Sequence, residues 1–287
     1  MRFDGFADTA AVRLNERDGA AFLTFPILEG ESWLVHGFST RLGGVSTGCL
    51  SSMNLSFARE EMECPDDPAA EDRVRENFRR IGRAIGFSPE NLVFSAQTHT
   101  SNVRLVTASD AGTGFTRPLS WTDVDGFVTN VPGPVLAAFF ADCVPLFFAD
   151  PVRRAIGLSH SGWRGTAAMI GKCTVERMQS AFGSRPEDIL AVIGPSISKS
   201  AYEVSADVAE YFPLEAEAKG DGKYLLDLWA ANRRILISAG LLPEHIAVAG
   251  LCTYANADLL FSHRKSHGRR GNLAAFLGIR QDPADVS

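Results

Sequence analysis

The chain has 287 residues, a formal net charge of -6 and a hydrophobic content of 45%, which is enough apolar material for a large core in one or two domains. Because the charge balance is acidic, the composition argues against binding to a nucleic acid backbone or to an anionic membrane surface. An anionic substrate would therefore need a local arginine site.

No export or membrane signal is predicted. The segment Met1–Glu16 has no basic head followed by a long apolar run, as a secretory signal would. The longest apolar stretch, Val135–Ala149, is interrupted by Asp142 and Pro145 and is too broken to span a bilayer. The five cysteines are scattered without a CxxC pair. This spacing favours a reducing cytoplasm over a disulfide framework.

Apolar runs alternate with helical patterns along the chain. Mixed strands and helices without a Pro/Gly/Ser-rich linker predict one layered α/β or α+β domain over residues 1–287. Predicted strands are Trp33–Ser39, Leu92–Ala96, Val103–Val106, Gly126–Asn130, Val135–Ala141, Ala155–Ser159, Ile189–Ile193 and Ala247–Ala249. Predicted helices are Asp67–Ile85, one that begins after Gly165 and extends past Met178, one near Ala206–Phe212, and Leu226–Ala239. A glycine-rich tail, Gly268–Gly278, is expected to close the chain.

Two candidate metal ligands flank a turn signal at Asp150–Arg153. If this turn closes an antiparallel hairpin, Cys143 lies directly opposite His160 on one face, with Cβ atoms roughly 4.5–5.5 Å apart. Pro145 opposes a regular ladder there because it lacks a backbone donor. His99, on the polar bend after Leu92–Ala96, is the candidate third ligand.

Cys143, His99 and His160 together suit zinc, although copper also accepts thiolate and imidazole ligands. Three protein ligands leave a fourth position for water, which is the pattern of catalytic rather than structural zinc. Spacing alone leaves open a simpler interpretation, in which the cysteine packs as a small apolar residue and the histidines form ordinary hydrogen bonds.

Eight stretches of the sequence point to one known family. They are HGFSTRLGGVS (His36–Ser46), SSMNLS (Ser51–Ser56), QTH (Gln97–His99), DVDGFVTN (Asp123–Asn130), ADCVPLFFADP (Ala141–Pro151), GLSHSGWRGTA (Gly157–Ala167), IGPSIS (Ile193–Ser198), and FSHRK with GRRGNLAAFLG (Phe261–Gly278). With these stretches the chain resembles the YfiH-type, laccase-domain family, whose members carry the names purine nucleoside phosphorylase and polyphenol oxidase.

The resemblance implies a sandwich of mixed β-sheets with helices packed outside, and zinc on the matching His99, Cys143 and His160. It also implies phosphorolysis of adenosine, inosine, guanosine and methylthioadenosine, together with deamination of adenosine. The expected partners are these nucleosides and phosphate, for a monomer or weak homo-oligomer. The chain departs from the family at Gly271-Asn272, which puts a basic substrate contact in doubt at this place; Arg269 and Arg270 are the candidate substitutes.

Other residues in these motifs are candidates for substrate contacts and proton transfer. Asp142, next to Cys143, is the candidate proton shuttle, or equally a residue that orients a group behind the metal ligands; Asp125 is a weaker candidate for the shuttle. Arginine matches phosphate oxygens in pairs, and Arg41 and Arg164 are preferred over Arg264 for this role. The remaining candidates are Ser39 and Asn54 for the ribose, and Trp163 or Phe139 for stacking on the base.

Three other functions remain open at this stage. A copper-dependent polyphenol oxidase would use the same ligands, although a trinuclear copper cluster needs more imidazoles than six histidines arranged in this way provide. A cysteine hydrolase would use Cys143 as nucleophile and His160 as base. A non-catalytic partner protein is the third. The interpretation that we favour is a zinc-dependent purine nucleoside phosphorylase with adenosine deaminase activity.

Overall fold

The computed structural model describes residues 9–281. The beginning of Met1–Glu16, the segment without a predicted secretory signal, lies outside the described residues. Among the described residues, no helix has both the length and the apolar character needed to cross a membrane.

The described residues form fifteen strands and seven α-helices. The strands are β1 (Arg13–Arg17), β2 (Ala20–Thr24), β3 (Leu34–Ser39), β4 (Leu92–Phe94), β5 (Val103–Leu105), β6 (Gly126–Thr129), β7 (Val135–Phe140), β8 (Val144–Asp150), β9 (Ala155–Ser161), β10 (Leu190–Ile193), β11 (Glu203–Ser205), β12 (Ala216–Gly220), β13 (Lys223–Leu226), β14 (Ile246–Val248) and β15 (Leu273–Ile279). The helices are α1 (Pro26–Glu29), α2 (Phe57–Glu63), α3 (Ala70–Ile85), α4 (Trp163–Ala167), α5 (Ile170–Phe182), α6 (Ala206–Ala209) and α7 (Leu228–Ser238).

Two six-stranded mixed sheets face each other across the main core. The first has the order β1-β2-β3-β15-β7-β4 and the second the order β14-β10-β8-β9-β6-β5, while β11-β13-β12 form a small third sheet. Phe38 and Leu277 of the first sheet share one buried cluster with Phe147 and Leu158 of the second. Every residue of β8, β9 and β15 is buried, as expected for strands that are covered on both faces.

Helices cover the outer faces of both large sheets. Helix α3 places Val74, Phe78, Ile81 and Ile85 in a second cluster against the first sheet. Full burial of each such side chain contributes about 2 kcal/mol. Helices α5 and α7 pack in a third cluster against the second sheet. The predicted fold class, a layered sandwich of mixed sheets with outer helices, is confirmed.

Two local predictions were wrong or incomplete, and one hairpin was missed. The glycine-rich segment predicted as a tail contains β15, which pairs with both β3 and β7 near the middle of the first sheet. The helix predicted after Gly165 is divided into α4 and α5, because Met169 adopts a left-handed conformation with φ 56°. The sequence analysis also missed the hairpin of β1 and β2, although its Asp18-Gly19 turn is a strong hairpin signal.

The hairpin of β8 and β9 exists, but its register differs from the predicted one. Asp150 pairs with Ala155, and Pro145, not Cys143, lies opposite His160. Cys143 immediately precedes β8, one diagonal step from His160. A shift of two residues keeps every side chain on its predicted face, so the two side chains still point to the same side of the sheet.

Candidate metal centre

Three elements from different parts of the chain bring the predicted ligands together. His99 lies in the bend after β4 with φ 67°, Cys143 in the turn between β7 and β8, and His160 in β9. Their ligand atoms all lie within 4.8 Å of one another, and Cys143 Sγ is 4.0 Å from His99 Nε2. Within residues 9–281 this is the one group of three or more His, Cys, Asp or Glu side chains that meets in this way.

The three side chains form a graded path from the interior to the surface. His160 is buried, Cys143 is partly exposed and His99 is exposed. The two imidazole rings meet edge to face, with centroids 4.9 Å apart. Gly162 packs directly behind the cluster, since a Cβ atom there would lie 2.9 Å from His99 Cδ2 and 3.0 Å from Cys143 Sγ.

Asp125 holds two residues of the cluster in place through hydrogen bonds. This fully buried carboxylate accepts a hydrogen bond from His160 Nδ1 at 2.8 Å and another from His99 N–H at 3.0 Å. It also accepts hydrogen bonds from Thr98 N–H, Thr100 N–H and Thr100 Oγ1. The carboxylate therefore fixes the bend that carries His99 and leaves Nε2 as the free nitrogen of His160.

Electrostatic coupling shifts the pKa values of these groups. Burial opposes ionisation of Asp125, but hydrogen bonds from His160 and from the Thr100 and Thr98 amides lower its pKa to about 2. Burial also opposes ionisation of Cys143, yet His160 and His99 lower the pKa of the thiol to about 6. Burial disfavours the imidazolium, whereas Cys143 and Asp125 raise the pKa of His160 to about 9. The thiol is thus prepared to act as a thiolate near neutral pH.

The donor set and its geometry fit a tetrahedral metal ion. Zinc binds thiolate at about 2.3 Å and imidazole at about 2.0–2.1 Å, so two ligand atoms of one site lie roughly 3.5 Å apart. The sulfur–nitrogen distance of 4.0 Å is close to this value. A histidine whose second nitrogen donates to a carboxylate is the usual support for a metal ligand. Copper accepts the same donors.

The three ligands line a cavity of about 290 Å³, at the small end of the range for ligand pockets. The predicted stacking residue Phe139 is in its wall, whereas Trp163 packs against Tyr211 elsewhere, with ring centroids 5.9 Å apart. The other lining residues are Ser95, Gln97, Phe140, Ala141, Arg270 and Asn272.

The structure does not bring Ser39 or Asn54 to this cavity, although both were predicted to contact a ribose. Both are fully buried, and each supports the entry into β15. Ser39 Oγ accepts from Ala274 N–H at 2.9 Å, and Asn54 Oδ1 accepts from Asn272 N–H at 3.0 Å. Buried side chains engaged with the backbone in this way position the cavity wall and have no surface to offer to a substrate.

Arg41 is also engaged within the protein. Its guanidinium donates to Ser51 O at 3.0 and 2.8 Å and to Ala257 O at 2.8 Å, and it lies 4.6 Å from the centroid of the Phe261 ring. Burial lowers the pKa of Arg41. The side chain joins two loops, and it is not among the residues that line the metal cavity.

The other two predicted arginines lie elsewhere. Arg164 is exposed and stacks on Trp163 at 4.3 Å; it lies within helix α4, which is only five residues long. Arg264 donates from Nη1 to Glu203 O at 3.0 Å and lies over the Tyr202 ring. It lines a separate cavity of about 420 Å³.

Asp142 is not free to act as the predicted proton shuttle. Its two carboxylate oxygens accept hydrogen bonds from Thr253 Oγ1 at 2.6 Å and from Arg264 N–H at 2.7 Å. Its backbone has φ 88°, a strained value for a residue with a side chain. The residue anchors the FSHRK segment beside the turn that carries Cys143.

Sequence reasoning understated Asp125 and gave no role to Gln97, which accepts from Ser95 Oγ and from Phe139 N–H. The motifs DVDG and QTH contained both residues. What the sequence could not supply was the parallel pairing of β5 with β6, which brings the DVDG segment beneath the His99 bend.

Comparison with known proteins places this fold and site in a defined class. Residues 35–280 match the family described as multi-copper polyphenol oxidoreductase laccase. The chain belongs to this family, and the resemblance inferred from its motifs is confirmed.

Two relatives and one solved structure show the similarity in detail. The chain is 37% identical over 258 residues to the purine nucleoside phosphorylase YlmD of Bacillus subtilis. The aligned residues make up 86% of this chain and 89% of that protein. It is 34% identical to the purine nucleoside phosphorylase YfiH of Escherichia coli, with 84% and 92% covered. The crystal structure of YlmD from Geobacillus stearothermophilus superimposes with a TM-score of 0.83 at 34% identity, over 93% of this chain and 99% of that one.

Proposed function

We propose that this protein is a metal-dependent purine nucleoside phosphorylase, with zinc held by His99, Cys143 and His160. The proposed substrates are phosphate and the nucleosides adenosine, inosine, guanosine and methylthioadenosine. Deamination of adenosine at the same site is a second proposed activity. The names of the bacterial relatives support the reaction class.

One observation carries the proposal. Two imidazoles and one thiolate converge in the wall of a small cavity, and a buried carboxylate orients two of them. A structural zinc site would be closed by a fourth protein ligand, whereas three ligands beside a cavity leave one coordination place for a reactant. A zinc ion bound here would supply Lewis acidity and lower the pKa of a bound water.

The residues of the chain divide the remaining work. Asp125 holds the Nδ1 proton of His160 and fixes the bend of His99. Phe139 offers an apolar surface for a purine ring. In phosphorolysis a phosphate oxygen forms a bond to the sugar C1′, the C1′–N9 bond breaks, and the departing purine takes a proton. In deamination water adds to the purine carbon that bears the amine, and ammonia leaves.

Product analysis by mass spectrometry tests the two activities together. Metal-free and zinc-loaded protein would be incubated with adenosine, with and without phosphate. Adenine and ribose 1-phosphate, formed only when phosphate is present, would indicate phosphorolysis. Inosine formed without phosphate would indicate deamination.

Matched cysteine variants connect the products to the site. We expect Cys143→Ala to abolish zinc-dependent turnover while the fold is retained. Cys173→Ala changes a partly exposed thiol outside the cluster and should leave turnover unchanged. Zinc-loaded wild-type protein that converts no nucleoside would refute the proposal.

Two observations favour alternatives with the same residues. The family description favours copper oxidase chemistry; metal analysis of purified protein and assays with zinc or copper restored would separate the two. The low pKa of Cys143 favours a cysteine hydrolase. A thiol held by metal should resist alkylation until a chelator is added, whereas a free nucleophile should react at once.

A further inference from the structure

One wall of the metal cavity carries an arginine without an acidic partner. Arg270 lines the cavity together with the three metal-binding side chains. Its Nη1 donates to Gly271 O at 3.3 Å and to Asn272 Oδ1, and its buried Nε has no hydrogen-bond partner. The neighbouring Arg269 pairs with Glu63 at 3.8 Å, whereas no ion pair within residues 9–281 involves Arg270.

The surroundings of Arg270 are positively charged. Arg59 is nearby and half-buried; it donates to Gly268 O at 3.3 Å and, like Arg270, forms no ion pair among the described residues. Burial and the charge of Arg270 lower the pKa of His263, so this ring adds no charge near neutral pH; its Nδ1 lies 3.5 Å from Arg270 Nη2. Burial and the charge of Arg59 lower the pKa of Arg270 to about 10, although Asp142 and Cys143 oppose this shift. Asp142, whose charge acts on Arg270, accepts hydrogen bonds from Thr253 Oγ1 and Arg264 N–H and forms no ion pair with Arg270 among the described residues.

A half-buried guanidinium with an unused donor and no carboxylate partner favours binding of an anion. Arg41 and Arg164 do not meet this need, because the first is saturated by backbone carbonyls and the second lies on the surface. A divalent ion bound by two neutral imidazoles and one thiolate would leave the metal centre with a net positive charge. This charge would further favour an anion in the cavity.

We propose that Arg270 binds the phosphate cosubstrate in the metal cavity. This inference rests on the proposed phosphorylase function and assigns to it the residue that holds the second substrate. Arginine presents paired N–H groups that match two phosphate oxygens. Asn272 steadies the guanidinium through its side-chain oxygen, and its own backbone is fixed by Asn54 Oδ1 at 3.0 Å.

Arg270 remains charged throughout the proposed step. It holds two phosphate oxygens while a third forms the new bond to C1′, and the electron pair of the C1′–N9 bond leaves with the purine. A phosphate ester of the substrate has the same chemistry as free phosphate. Binding measurements must therefore include both inorganic phosphate and adenosine 5′-monophosphate.

Isothermal titration calorimetry of zinc-loaded protein with inorganic phosphate tests the assignment directly. Loss of a charge-assisted hydrogen-bond pair should weaken phosphate binding by about tenfold or more in Arg270→Gln. Arg270→Lys keeps the charge but loses the fork, so we expect a smaller loss. Arg185→Gln is the control, because Arg185 forms only exposed ion pairs and does not line the cavity; its phosphate Kd should stay within about twofold of wild type, since exposed pairs contribute little.

Steady-state kinetics tests phosphate binding by Arg270 separately from the proposed phosphorylase activity. Arg270→Gln should raise KM for phosphate and leave KM for the nucleoside nearly unchanged. Unchanged phosphate binding and KM in both Arg270 variants would overturn the inference while phosphorolysis stands. Conversely, a wild-type protein that binds phosphate through Arg270 but cleaves no nucleoside would refute the function and retain the oxyanion site. Tighter binding of adenosine 5′-monophosphate than of phosphate, lost in Arg270→Gln, would overturn the free-phosphate assignment.

Discussion

Two buried carboxylates, Asp125 and Glu60, support the molecule in different ways. Asp125 accepts hydrogen bonds from a metal-binding imidazole and from the backbone of the His99 bend. Glu60, 1% exposed, accepts from Ser46 Oγ and Asn54 Nδ2, each at 2.8 Å, and pairs with Arg73 at 2.7 Å. Asp125 contacts two residues of the candidate metal centre, whereas Glu60 contacts only residues that position a loop.

The contrast separates two roles that motif residues have within one chain. The network of Glu60 extends to Asn77, whose amide donates to Ser46 Oγ and Ser52 O and accepts from Val45 N–H. It ties the segment Arg41–Ser56 to helices α2 and α3. This explains why motif residues that look suited to substrate binding are buried instead. Damage at Glu60 should therefore affect stability, and damage at Asp125 should affect metal affinity.

The largest effect is expected at Glu60. Glu60→Ala leaves a mostly buried Arg73 with only Asp67 as partner, and breaking a buried pair costs roughly 3–5 kcal/mol. Denaturant titration should show this loss in the free energy of unfolding. Glu76→Ala removes an exposed pair with Arg80 and should cost under about 0.5 kcal/mol. If folded Glu60→Ala protein lost zinc affinity instead of stability, the distinction between the two carboxylates would fail.

Asp125 provides the second test. In Asp125→Asn one carboxylate oxygen becomes an NH₂ group, which cannot accept the hydrogen bonds that this oxygen now receives. Loss of such a supporting partner typically costs 10–100-fold in metal affinity, which zinc competition titration would measure. Asp123→Asn is the control, because Asp123 is exposed and bonds only the neighbouring loop. Equal zinc affinities in the two variants would contradict the assigned role.

The sequence predicted the layers of the fold but not all their members. Continuous apolar runs and the helical spacing of Val74, Phe78 and Ile81 identified most strands and helix α3. Strand β15 was missed because arginines and glycines precede it, and only its pairing with β3 and β7 shows that it lies inside a sheet. Periodicity reports local structure, whereas the order of strands in a sheet depends on contacts that are distant in the chain.

The site was predictable in part for the same reason. Cys143 and His160 flank one hairpin, so local turn chemistry could bring them together even with a register error of two residues. His99 lies in a bend that is distant from this hairpin in the sequence, so no local signal could show that it joins the other two side chains. The sequence named both Arg41 and Arg270 as candidate substrate contacts but could not distinguish them, because it does not show whether a guanidinium meets backbone carbonyls or an open cavity.

A partly buried histidine, His36, allows the acid sensitivity of the fold to be measured separately from that of the candidate metal centre. Burial lowers the pKa of His36 to about 4, although Glu29 opposes this shift, and Phe25 N–H donates to its Nε2 at 3.1 Å. The folded pKa lies below the unfolded value of 6.5. His36 therefore stabilises the protein above pH 6.5, and this stabilisation is lost as the pH falls towards 4.

Between pH 7.5 and 5 the resulting loss is about 2 kcal/mol by proton linkage. His36→Gln retains an acceptor for Phe25 N–H without a titrating ring, so its free energy of unfolding should fall by that much less over the same range. The exposed His267→Gln variant should keep the wild-type dependence. Parallel curves for wild type and His36→Gln would show that His36 does not control this transition.

The smallest expected effect is at Gly162, where the metal ligands and the fold can be separated most cleanly. Its φ of -69° and ψ of 174° suit alanine, so the backbone is not strained by substitution. A new Cβ would contact His99 Cδ2 at 2.9 Å and Cys143 Sγ at 3.0 Å. Exposed His99 can move away in the metal-free protein but must return when zinc binds, so the cost falls on metal affinity rather than on stability. Mild overpacking of about 1 kcal/mol predicts a loss of roughly fivefold in zinc affinity.

The control is Gly30→Ala, which has open space around the new Cβ and should change neither the zinc affinity nor the stability. A lower melting temperature without weaker zinc binding in Gly162→Ala would mean that the glycine serves the entry into α4 and not the metal centre.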